Sequence, residues 1–177
     1  TSCKLNMYAR FRPYHLIGAI GGFLTALTAI ISLAVSTSYY ISAEWVIIVN
    51  MLLIGSNGLI ATYFFGAFSA TRDSLIKVGS LIAGIGLGFN VLISILQMAG
   101  VYVFVLALLG ALVMMAGVVI ACIKFIMLFQ RDAFVVVFCV FIFLGLLLSL
   151  FWTWASLISG AGLGGLLIYF YVHNITY

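Results

Sequence analysis

The chain has 177 residues, of which 67% are hydrophobic and only 6% charged, with seven Lys or Arg against three Asp or Glu. A soluble domain carries about a quarter of its residues as charges, and the mean hydropathy of +1.40 excludes one here. The net charge of +4 is not gathered into a basic patch interleaved with aromatics, which argues against nucleic acid and leaves the lipid bilayer as the implied environment.

A membrane-spanning helix needs about 20 mostly apolar residues to cross a hydrocarbon core about 30 Å thick. The apolar runs lack the strict alternation of a β-barrel strand, so they read as helices, whose backbone groups are satisfied internally. Six spans fit, at about 14–37, 45–69, 75–98, 101–128, 133–151 and 156–173. The expected fold is an all-α polytopic membrane bundle, a single domain of three helical hairpins.

Span 1 follows Lys4, Arg10 and Arg12. Its apolar run is longer than the core of a signal peptide, so it reads as a true span. Gly18 and Gly22 stand four apart on it. Span 2 carries Asn50 and Asn57, seven apart and so on one helix face. The loop after it holds Arg72-Asp73, and the loop after span 4 holds Arg131-Asp132 at the same place in its hairpin. Aspartate at such a position caps a helix N-terminus, and Arg12-Pro13 opens the first hairpin with a proline that a first turn tolerates.

Span 3 has two faces of interest. Ser80, Gly84 and Gly88 make a small-residue stripe, while Asn90, Ser94 and Gln97 follow the i, i+4, i+7 pattern of a polar one. Small residues four apart let helices approach closely in lipid, and buried amides must find hydrogen-bond partners there. The polar stripes of spans 2 and 3 therefore read either as clamps between helices or as the lining of a path. Span 4 ends near Lys124. A stretch from 133 to 173 is too long for one crossing, so a turn is expected near Trp152-Thr153-Trp154, with one long bent helix and five spans as the alternative. Span 6 carries Gly160 and Gly164.

With six spans every Lys and Arg falls on one side, which the positive-inside rule assigns to the cytoplasm together with both termini. The Asn174-Ile175-Thr176 triplet matches a glycosylation acceptor but would then face the cytoplasm. Cys3, Cys122 and Cys139 are odd in number and lack metal-ligand spacing, so they read as free thiols. His15 and His173 fall near the same membrane surface, where two imidazoles can ligate a haem iron or a metal. No catalytic constellation emerges, so the chain does not read as an enzyme, and no cofactor is expected. The composition points first to a non-catalytic membrane subunit packed through its small-residue faces against other membrane proteins, a respiratory or energy-converting assembly being one host. The second reading is a small channel or carrier for an uncharged or weakly polar solute. The third, resting on the histidines, is a haem- or quinone-binding electron-transfer subunit.

Overall fold

The computed structural model describes residues 2–37, 43–101, 104–149, 151–152, 155–173 and 175. The side chains of Cys3, Lys4 and Arg10, and residues Thr153, Trp154, Asn174 and Thr176, lie outside the described residues. Six helices follow one another: α1 (Ser2–Ser36), α2 (Ala43–Ala70), α3 (Ser74–Met98), α4 (Phe104–Leu128), α5 (Ala133–Ser149) and α6 (Ser156–Val172). The chain is an all-helical, membrane-embedded bundle, and α1 to α4 each hold an apolar stretch long enough to cross a bilayer. The turn between α5 and α6 divides 133–173 into two helices, as six spans require. These two have 17 residues each, about 25 Å at the α-helical rise, so they are shorter than their partners α3 and α4 of 25 residues.

One boundary differs from the sequence expectation. The helix that was to start near residue 14 begins at Ser2, and Pro13 lies inside it rather than in its first turn. A proline removes one intrahelical bond and crowds the preceding turn, yet a helix entering the membrane with Arg12 exposed beside it continues through that point.

The aspartates act as their spacing suggests. The Asp73 carboxylate accepts from Leu75 N–H at 3.0 Å and Ile76 N–H at 3.2 Å, and Asp132 accepts from Phe134 N–H at 3.1 Å. At the other end of α3, Gly100 closes the helix with φ +79°, a left-handed conformation that glycine adopts without a steric penalty.

The helices form a closed ring in chain order. Among the described residues each helix packs on its two neighbours in sequence, α1 returns to pack on α6, and no two backbones approach one another across the ring. Small residues draw the seams tight, since lipid offers no hydrophobic force between helices and close packing must hold them. A Cβ at Gly22 would stand 2.6 Å from the backbone nitrogen of Gly164 and 2.9 Å from the Gly160 carbonyl, so Gly22 faces the glycines singled out in the last span, while Gly18 lies against Leu167 and Tyr63. Gly79 and Gly117 make the α3–α4 seam, and Gly145 and Gly162 bring α5 against α6. The α4–α5 seam has none of these glycine contacts. It is the sparsest of the six, and the Cys122 and Cys139 thiols meet across it.

Candidate functional site: a central cavity

Because the backbones of non-neighbouring helices stay apart, the ring leaves a hollow on its axis wherever side chains do not fill it. The cavity measures about 450 Å³ and every helix contributes to its wall. It lies in the half of the bundle away from the Arg and Lys residues, reaching Ser149 and Ser156 at the facing ends of α5 and α6. The shortness of these two helices lowers the wall on their side.

The lining is apolar with a neutral polar band. From α1 come Thr25, Thr28 and Ser32, from α2 Asn57, and from α3 Asn90 and Ser94. Ser149 of α5 and Ser156 and Ser159 of α6 complete the band, while Leu53, Ile60, Leu87, Ile142 and Leu146 supply apolar wall. Among the described residues Lys, Arg, Asp, Glu and His are absent from this wall. Thr28 is 1% exposed and Ser94 6%, so their hydroxyls are buried groups that need partners. They find them on their own helices, Thr28 donating to the Leu24 carbonyl at 2.7 Å and Ser94 to that of Asn90 at 3.0 Å.

The floor of the cavity is aromatic. Phe64 lines it, and its ring lies edge-on to Tyr63 at 5.1 Å. Below, His15 sits 5.8 Å from Tyr63 and 5.7 Å from Phe170, and Phe170 meets Phe125 at 5.4 Å. Tyr63 and Phe170 are 1% and 0% exposed, so these rings fill the axis where the upper half is hollow.

Polar contacts close the same end. Lys124 bonds to Asp73 at 3.1 Å, joining α4 to the start of α3. Tyr169 donates to Asp132 at 2.6 Å, joining α6 to the start of α5. Arg12 lies 4.6 Å above the Tyr171 ring, and His15 Nε2 is 3.2 Å from the Ile175 carbonyl. Partial desolvation pushes the Asp73 carboxyl upward, but the N–H groups of Ile76 and Leu75 and the Lys124 ammonium outweigh it, so its pKa lies below the usual carboxylate range.

The residues singled out by sequence divide in three. Asn57, Asn90 and Ser94 converge on the cavity. Asn50 and Gln97 are not in its wall; Asn50 is 7% exposed and donates to the Val46 carbonyl of its own helix at 2.9 Å. Asn90 bonds across to α4, with Nδ2 3.7 Å from Met114 Sδ. The small residues Gly18, Gly22, Gly160 and Gly164 lie in seams and Ser80 is buried, while Gly84 meets Phe65 and a Cβ on exposed Gly88 would meet nothing. His15 is buried in the aromatic floor, whereas His173 is exposed and lies 4.3 Å from the Tyr169 ring.

Sequence reasoning missed the contributions of Thr25, Thr28, Ser32, Ser149, Ser156 and Ser159. Thr25, Thr28 and Ser32 do share one face at the i, i+3, i+7 spacing. The chain matches no protein-family model, no curated protein and no solved structure.

Proposed function

We propose that this protein binds a small uncharged solute in the cavity and carries it across the membrane. The observation behind this reading is a cavity of about 450 Å³ enclosed by six helices and lined only by apolar and neutral polar groups. Its volume falls in the range of small-molecule sites, roughly 300–1,000 Å³. An ion would pay the cost of desolvation in such a wall without an opposite charge to offset it. The aromatic floor is the gate, and the basic end is the cytoplasmic end, with both termini there. The cavity in this state faces the outside.

The reading as a subunit of a larger assembly drew on the lack of titratable residues at depth, on short loops and on small-residue faces. Of those faces, Gly18, Gly22, Gly160 and Gly164 are occupied within the bundle, while Gly88 on α3 is exposed.

Flux into proteoliposomes of a panel of neutral solutes, from glycerol and urea to aliphatic alcohols and amides, tests the carrier reading. Leu163 lines the cavity and is partly buried, so Leu163→Trp fills it. The expected result is solute entry above protein-free vesicles for at least one class, lost in Leu163→Trp. Entry that is unchanged by filling the cavity contradicts the proposal.

A further inference from the structure

We infer that the occupant of the cavity is a neutral amphiphile whose head donates hydrogen bonds, in the manner of a primary alcohol, and whose body is apolar. This rests on the reading of the cavity as a solute site and specifies the chemistry of that solute.

A hydroxyl group has one hydrogen to donate and two lone pairs to accept with. In a helix, Ser and Thr commonly give that hydrogen to the carbonyl one turn back. Five hydroxyls of the wall do so. Thr25 donates to the Gly21 carbonyl at 3.0 Å, Thr28 to Leu24 at 2.7 Å and Ser94 to Asn90 at 3.0 Å. Ser149 donates to Leu146 at 2.7 Å and Ser159 to Ser156 at 3.1 Å. Each of these side chains has spent its only donor on its own helix and retains acceptor capacity at the cavity wall. The Asn90 amide gives one of its two N–H hydrogens to Met114 Sδ and keeps its carbonyl oxygen, so acceptors outnumber the donors left to the wall by Asn90, Asn57 and Ser32.

A wall of this kind discriminates by hydrogen-bond direction. A solute with an O–H or N–H satisfies the acceptors, whereas an ether or ketone of equal size sets lone pair against lone pair at most of the polar positions. An ammonium head has donors in plenty but brings a charge that no carboxylate of the wall meets. The apolar remainder of the wall takes the hydrocarbon body.

The test compares three probes of near-equal size, n-octanol, methyl heptyl ether and n-octylammonium, by the thermal shift each gives the purified protein in mild detergent. Leu163→Trp serves as the blank for partitioning into the micelle. Ligand that binds only the folded state raises the unfolding temperature in proportion to its affinity. The expected order is octanol tightest, with the ether and the ammonium weaker by roughly tenfold, the worth of about one buried hydrogen bond. Thr28→Val and Ser94→Ala together remove two acceptors with little change in shape, and should weaken octanol toward the level of the ether while leaving the ether unchanged. Equal binding of octanol and ether, abolished by Leu163→Trp, overturns the inference and leaves the carrier reading standing. Tightest binding by the ammonium also overturns it. Shifts identical in the wild type and Leu163→Trp overturn both.

Discussion

At the basic end of the bundle the ring axis is filled by Tyr63, Phe125 and Phe170, while at the other end the same six helices surround a hollow edged with hydroxyls and amides. Glycine-mediated helix contact serves both ends: Gly79 against Gly117 lies toward the basic end, and Gly145 against Ser159 toward the open one. What differs is the side chain offered to the axis. Large rings at one level meet each other across the ring and exclude space; serine, threonine and asparagine at the next are too short to meet. A closed ring of helices thus becomes a one-ended vessel through side-chain volume, with the shortness of α5 and α6 lowering one wall at the open end. The electrostatics follow the same division, since the ion pair and the carboxylate caps gather at the filled end, while at the hollow end exposed Glu44 stands outside an uncharged cavity wall.

This comparison predicts unequal costs of substitution. Phe170 is fully buried among His15, Phe125 and Phe129. Truncating it to alanine removes a large side chain from a packed site and should cost about 3–5 kcal/mol in an equilibrium unfolding measurement. Cavity-wall changes such as Ser94→Ala should stay within about 0.5 kcal/mol, since no packed neighbour is lost. Similar losses at the two sites would erase the distinction between filled and hollow halves.

A smaller effect belongs to Asp73, which caps α3 and pairs with Lys124. Asp73→Asn keeps part of the cap and loses the charge, at a cost of about 1 kcal/mol at neutral pH. Because the folded-state pKa is lowered, the wild-type carboxylate stabilises the fold fully above its usual value of 3.8 and loses that contribution as pH falls from there through the lowered value. Unfolding temperatures across this range should converge for wild type and variant at the acid end and separate above it. A constant difference between them at every pH contradicts the assignment.

Much of the fold was legible in the chain. Apolar run length separated six helices, and the exclusion of a 60 Å helix by membrane thickness placed the break that the structure has between Ser149 and Ser156. Arg-Asp pairs marked two helix starts because a carboxylate at that position has two N–H groups to accept from. Other features were not readable, for definite reasons. The small faces of α1 and α6 were visible, but their meeting depends on ring closure between the two ends of the chain, which no local pattern encodes. Pro13 read as a helix start because proline favours first turns, and the helix extended through it instead. Asn57, Asn90 and Ser94 stood out because amides are rare in spans, whereas Thr28 and Ser159 look like ordinary helix hydroxyls until the opposite wall is known to be absent. The direction of their hydrogen bonds is a property of the folded helix that sequence spacing does not record.

A ring that is hollow and open to one side only offers its wall to one face of the membrane and not to the other. Single cysteines introduced by Ser94→Cys in the cavity wall and by Leu167→Cys, which replaces a fully buried leucine near the filled end, test it in a background lacking the native thiols. A small neutral methanethiosulfonate bearing a hydroxyethyl group, applied to one face of the membrane with a membrane-impermeant thiol scavenger on the other, reports which thiols are reached from that face. The account predicts that the Ser94→Cys variant reacts from the face opposite the basic residues and not from the other, and that the Leu167→Cys variant reacts from neither. Reaction of the Leu167→Cys variant from the basic face, or protection of the Ser94→Cys variant from both faces, contradicts it.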